Sequence, residues 1–182
     1  MRKIITCILM LVAFSFCSIA NAGVMEDVQK LYPKIKIEET TILNEVGAEV
    51  KKKSMTIHKE DIFGLNLDIR LLTLGEENIV CFDYHYSGGK WRFLNKASVG
   101  NGKELIVLEP AAQPTRKVIS ARTVYEYLMM KPSVDQLQFM KNTKVMRVHS
   151  DRESFMVEIN RTKKHHVPYF EALDYAIKFL NE

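Results

Sequence analysis

A short stretch of the chain places an acid, an imidazole and a guanidinium where they could act together. Asp83 and His85 are two residues apart in a run typical of a β-strand, so both side chains are expected on the same face. Ser87-Gly88-Gly89-Lys90 then predicts a tight hairpin turn, and the returning strand would place Arg92 opposite His85. A carboxylate beside an imidazole can orient it for base catalysis, and two such groups can share a metal ion.

The same trio has a simpler interpretation as the solvated face of a strand. Base catalysis and metal binding both need a third group, which the sequence does not supply near Asp83 and His85. An Asp–Arg pair on an exposed strand is common and contributes little to stability. The solvated face is therefore the favoured interpretation, and neither a catalytic residue nor a metal site is predicted.

The opposite face of the predicted hairpin carries aromatic side chains. A two-residue loop at Gly88-Gly89 would pair Tyr86 with Trp91 and Tyr84 with Phe93. Such cross-strand pairs stabilise a sheet by up to about 1 kcal/mol each. If exposed, the rings would form a stacking platform for a sugar or a peptide. Large aromatic side chains at strand spacing usually face inward, so a place in the core is favoured.

Few other residues outside this predicted hairpin are candidates for a reactive or binding site. Cys81 lies within a strand and has no cysteine partner, while His58 and His149 are isolated histidines of the kind found in cores or at rims. Two basic clusters, at 51–53 and 161–164, could contact acidic envelope components if the fold brings them together. The sequence contains none of the common nucleophile, zinc, phosphate-loop or calcium motifs, and no cofactor is predicted.

The first 22 residues have the features of a secretory leader. Met1-Arg2-Lys3 is basic, residues 4–19 carry no charge, and Ala20-Asn21-Ala22 supplies the small residues of a cleavage site. The apolar run is shorter and more interrupted than the roughly 20 residues that a membrane-spanning helix requires. A mature chain that begins at Gly23, spans no membrane and is periplasmic or secreted is therefore predicted.

The composition after cleavage narrows the class of protein. Removing the leader removes two basic residues and no acidic one, which leaves 24 basic against 22 acidic residues and a net charge of +2. This balance does not favour nucleic-acid binding. Cys7 and Cys17 leave with the leader, so Cys81 has no partner for an internal disulfide and stability must come from an apolar core. An exported domain with one thiol fits a bacterial periplasm.

Alternating apolar and polar residues predict the strands of a half-buried sheet. The clearest run alternates four aliphatic residues with polar ones: Leu65, Leu67, Ile69 and Leu71. Further strands are expected at 105–108 and 118–130, and a hairpin from 144–149 and 154–159. Strands joined by such short turns pair antiparallel.

Two helices are predicted in the second half of the chain. Ser133-Val134-Asp135-Gln136 is a capping box, which predicts a helix to about Lys141. A carboxyl-terminal amphipathic helix is predicted by apolar residues three and four apart: Phe170, Leu173, Ile177 and Leu180. The expected fold is α+β, a mainly antiparallel sheet built of hairpins with helices packed on one face. One soluble domain is expected at 23–182, with a proline-bounded joint at 109–114.

These observations favour a small exported, non-catalytic binding or accessory protein that holds an envelope protein, a peptide or a glycan. Tyr84, Tyr86, Trp91, Asp83, His85 and Arg92 are its candidate binding residues. An envelope hydrolase that uses Asp83 and His85, either with a metal ion or through an unrecognised motif, is an alternative. So is an inhibitor or immunity-type partner of another secreted protein, which would share the same sequence features.

Overall fold

The computed structural model describes residues 23–62, 65–143, 145–150, 154–159 and 162–182. The predicted leader, residue 144 of the predicted 144–159 hairpin and residue 161 of the late basic cluster lie outside the described residues. The helices are α1 (Val24–Leu31), α2 (Val134–Met140) and α3 (Tyr169–Leu180). The strands are β1 (Glu38–Leu43), β2 (Glu49–Ile62), β3 (Leu65–Leu74), β4 (Glu77–Gly88), β5 (Leu94–Gly100), β6 (Leu105–Leu108), β7 (Thr115–Ser120), β8 (Thr123–Met130), β9 (Val145–Ser150) and β10 (Ser154–Glu158).

The strands form two antiparallel sheets, so the α+β class is confirmed. Sheet A contains six strands in the order β1-β2-β3-β4-β8-β7, and sheet B contains four in the order β10-β9-β5-β6. The sheets curl into a half-barrel. Residues 115–130, of which 118–130 was expected as one strand, form two paired strands, β7 and β8. No helix among the described residues is long and apolar enough to cross a membrane.

The alternation of side chains gives sheet A an apolar face and a polar face. In β3, Leu67 and Ile69 are buried, while Asp68 and Arg70 between them are partly exposed on the other side. β8 shows the same alternation, whereas β4 is buried on both faces from residue 79 to residue 84. The core therefore lies against one face of sheet A, and the opposite face, here called the outer face, is polar.

The helices pack against the core. The capping box at the start of α2 is present, with Gln136 N donating to Ser133 Oγ and Ser133 N donating to Gln136 Oε1. The buried stripe of α3 differs from the predicted one and is formed by Tyr169, Ala172, Leu173, Ala176 and Phe179. Its two alanines allow the helix to approach the sheet closely, and the predicted Phe170, Ile177 and Leu180 are only partly buried at the edges of the stripe.

The predicted hairpin at Gly88-Gly89 does not form. β4 already pairs with β3 on one side and with β8 on the other, so it has no free edge for residues 91–94. The chain instead crosses from sheet A to β5 in sheet B, passing through Phe93 with a φ of 56°. The hairpin prediction was wrong because a turn signal does not exclude a crossover.

A buried carboxylate fixes this crossing. Glu126 on β8 is fully buried, and its side chain accepts hydrogen bonds from the backbone amides of Arg92, Phe93 and Leu94. The guanidinium of Arg116 lies 3.6 Å away. The start of sheet B is thereby joined to β8, the strand next to the β7 edge of sheet A.

The described chain ends also meet. The amide of Val24 at the start of α1 donates to Glu182 Oε1 at 2.9 Å. Residues 109–114, the predicted joint, connect β6 to β7, and the amide of Ala111 donates to Met129 O at 2.8 Å.

Candidate functional site

Asp83 and His85 lie on the outer face of sheet A, but Arg92 does not join them. The guanidinium of Arg92 lies 4.9 Å from the ring centre of Phe155 and 5.6 Å from that of Tyr86. These are cation–π distances. The predicted Asp–His–Arg trio therefore needs a correction, because residue 92 belongs to the crossing between the sheets.

Arg70 on β3 takes the place expected for Arg92. The antiparallel pairing sets Asp68 opposite Asp83 and Arg70 opposite Cys81, so these side chains share the outer face. Arg70 Nε donates to Asp83 Oδ2 at 2.8 Å. Arg70 belongs to the clearest alternating run of the sequence, which indicates its face but not which strand lies beside it.

Tyr127 on β8 completes the environment of the Asp83 carboxylate. Its hydroxyl donates to Asp83 Oδ1 at 2.7 Å, and Arg70 Nη2 lies 3.4 Å from the same hydroxyl oxygen. Burial alone would lower the pKa of Arg70, but the hydrogen bond and charge of Asp83 raise it overall. Burial and the bond to Asp83 raise the pKa of Tyr127. Both oxygens of this 4% exposed carboxylate are thus held by donors that keep their protons.

His85 lies between the rings of two tyrosines. Its Nδ1 is 2.7 Å from Tyr125 Oη, and its ring centre is 5.0 Å from that of Tyr127. Burial lowers the pKa of His85, an effect that the charges of Asp68 and Asp83 offset only in part. The imidazole is therefore neutral near pH 7 and acts as a hydrogen-bonding aromatic ring.

These groups line an open depression of about 450 Å³, here called the polar depression. Its lining residues come from five neighbouring strands: Thr56, Asp68, Arg70, Asp83, His85, Thr115, Lys117, Tyr125 and Tyr127. Two ion pairs compensate charge within it, Arg70 with Asp83 and Lys59 with Asp68 at 3.3 Å. The other lining residues contribute threonine and tyrosine hydroxyls, the His85 ring and the ammonium group of Lys117.

The predicted aromatic residues do not form one exposed platform. Tyr84 is fully buried in the core, where its hydroxyl donates to Met146 Sδ. Tyr86 is partly buried and lies opposite Leu65 and Glu126 rather than Trp91. Trp91 is half-buried in the crossing.

The two basic clusters lie at opposite ends of β2. Lys53 bonds Glu26 near the start of this strand, whereas the amide of Lys163 donates to Lys59 O near its end. Lys59 lies six positions beyond Lys53 along β2, which corresponds to about 20 Å. The described parts of the clusters therefore do not converge.

Among the described residues, neither Cys81 nor a group of metal-ligating side chains forms a reactive centre. Cys81 is 1% exposed, and burial raises the pKa of its thiol, which makes it unreactive. Within the part of the chain that the structure describes, no three His, Cys, Asp or Glu side chains are grouped to hold a metal ion.

Comparison of the chain with protein-family models, with curated proteins and with solved structures finds no match.

Proposed function

We propose that the mature chain is an exported binding protein that holds a neutral, hydroxyl-rich ligand, a glycan, in the polar depression. The observation that carries this proposal is the closed hydrogen-bond network around Asp83, in which Arg70 and Tyr127 occupy both carboxylate oxygens. Such a network fixes the orientation of the surrounding side chains before a ligand arrives. Preorganisation of this kind lowers the entropic cost of binding.

The same network argues against the alternative of an Asp83–His85 hydrolase. A general base must be free to take a proton, whereas both carboxylate oxygens of Asp83 are held by the donors Arg70 and Tyr127. If the network opened, Asp83 and Arg70 would each lose an oppositely charged partner while still buried, which is energetically unfavourable. Binding requires no such rearrangement, so it is the better-supported function.

The chemistry of the lining favours a glycan among the expected ligand classes. The charges of Arg70 and Asp83 compensate each other, so neither is left unpaired for a charged ligand. Threonine and tyrosine hydroxyls can exchange hydrogen bonds with sugar hydroxyls, and the rings beside them can pack against sugar C–H groups. The lining residues leave the outer face of sheet A, and the depression that they form is open to a ligand.

A glycan array of neutral oligosaccharides tests the proposal directly, followed by calorimetric titration of the oligosaccharide bound best. We expect Tyr125→Phe to weaken binding about tenfold, because the lost hydroxyl is worth about 1.4 kcal/mol, an ordinary hydrogen bond. Tyr175→Phe is the matched control, since it removes a phenol hydroxyl from α3, which faces the core side. It should bind like the unmodified protein.

Two results would contradict the proposal. The first is an array on which the folded protein retains no neutral oligosaccharide. The second is equal affinity of the Tyr125→Phe and Tyr175→Phe variants, since binding would then lie outside the polar depression.

A further inference from the structure

A serine and a histidine form a hydrogen-bonded pair on sheet B, on the face opposite its buried core residues. β5 and β9 pair with Ser98 opposite Arg147 and Lys96 opposite His149, so the four side chains leave the same face. Ser98 Oγ lies 2.6 Å from His149 Nε2. A histidine can take a proton from a serine hydroxyl at about this distance.

An open depression lies beside this pair. Gly100 follows Ser98 on the same face, and both residues line a space of about 490 Å³. The space is lined by Ser98, Gly100, Gly102, Lys103, Glu104, Leu105, Val145, Arg147 and His149. Ser98 is 2% exposed and lies at its floor, so only a slim group can reach the hydroxyl.

The charges around His149 favour its neutral form. Burial lowers the pKa of this histidine, and the charges of Lys96 and Arg147 lower it further. Lys103 and Glu104 are the other charged residues lining the depression. A neutral ring leaves Nε2 able to accept a proton near pH 7, and the guanidinium opposite Ser98 can stabilise negative charge that develops there.

We infer that Ser98 and His149 are the nucleophile and general base of a second, esterase site on sheet B. Ser98 Oγ attacks the carbonyl carbon of a carboxylic ester while its proton passes to His149 Nε2. The ester C–O bond breaks, and the alcohol leaves with that proton. Water then attacks the acyl–Ser98 ester, which releases the carboxylic acid and restores the serine hydroxyl.

The lining also indicates the class of ester. Leu105 and Val145 suit a short apolar acyl chain, and Lys103 and Arg147 together outweigh Glu104, which favours an anionic substituent. Among the described residues, no carboxylate hydrogen-bonds the His149 ring. Since an orienting carboxylate accelerates such reactions strongly, we expect slow turnover, and covalent labelling is the more direct readout.

An alkyl fluorophosphonate probe tests the inference on the purified protein. The serine oxygen would displace fluoride from phosphorus, and peptide mass spectrometry would locate the adduct on Ser98. We expect Ser98→Ala to abolish this adduct and His149→Gln to slow its formation at least about a hundredfold, the usual contribution of a general base. Ser154→Ala is the matched control, because Ser154 lies opposite His149 on β10. It should label at the normal rate.

Three outcomes would overturn the inference. These are a folded wild-type protein without an adduct on Ser98, an adduct on another serine, and a His149→Gln variant that labels normally. The pH dependence of labelling of the unmodified protein is a second test, which does not require a variant to fold. The labelling rate should rise with pH to a plateau, with a midpoint below the usual histidine value of about 6.5. A rate that does not change between pH 5 and 8 would exclude His149 as the base.

Discussion

Burial on the outer face of sheet A makes His85 a source of pH-dependent stability. Because its pKa is lowered in the folded chain, the unfolded chain binds more protons near and below pH 6.5. The free energy of unfolding therefore rises with pH through this range. The contribution of His85 to it is lost as the pH falls. The pKa values of His149 and His166 are lowered too, so their contributions have the same sign.

We expect the thermal midpoint, followed by circular dichroism, to fall when the pH is lowered from 7.5 to 5.5. His85→Gln removes one titrating ring from the polar depression, and this variant should show a smaller fall than the unmodified protein. If the two proteins lose the same amount, His85 is equally protonated in the folded and unfolded chains and its burial has been overestimated.

For single residues, the sequence predicts which face of a strand a side chain occupies better than it predicts which residues of other strands lie beside it. Asp83 and His85 share a face because strand alternation is local, and that expectation needs only residues two apart. Arg70 and Tyr127 reach Asp83 through pairing between distant strands, which no local pattern encodes. The predicted partner Arg92 was wrong for the same reason, since its position depends on where the chain goes after β4.

Among the elements, the crossing between the sheets depends on one buried side chain. Glu126 accepts three backbone amides at residues 92–94, where the chain leaves sheet A. A carboxylate satisfies these donors better than a neutral group, because hydrogen bonds to charged acceptors are stronger. The Gly88-Gly89 turn signal predicted a hairpin where this crossing lies. The alternation in β3 and the capping box of α2 correctly predicted a strand and the start of a helix.

Glu126→Gln should lower the free energy of unfolding by about 3 kcal/mol, because Arg116 and the three amides would lose a charged acceptor in the interior. Urea unfolding measures this change. Glu77→Gln is the matched control, since its ion pair with Lys131 is largely exposed and its loss should change stability by less than about 0.5 kcal/mol. Equal stability of the two variants would show that Glu126 does not hold the crossing.

For the whole molecule, export is the expectation on which the proposed compartment and ligand depend. The uncharged run before Ala20-Asn21-Ala22 predicts cleavage, and α1 begins at Val24, so removal of residues 1–22 would leave every described element intact. Intact-mass spectrometry of the envelope fraction of the native host should give a chain that begins at Gly23. Recovery of the chain with Met1 from the cytosol would contradict export and, with it, the envelope ligand.

The contact between Val24 and Glu182 gives that cleavage a structural consequence. Gly23 lies beside the carboxylates of both Glu26 and Glu182. A peptidase that cut before Gly23 would create an ammonium group at this position, where the carboxylate of Glu182 could neutralise it, while Glu26 is already bonded to Lys53. Maturation would thus replace a peptide bond at this position with an ion pair between Gly23 and Glu182, which would hold the start of α1 against the end of α3.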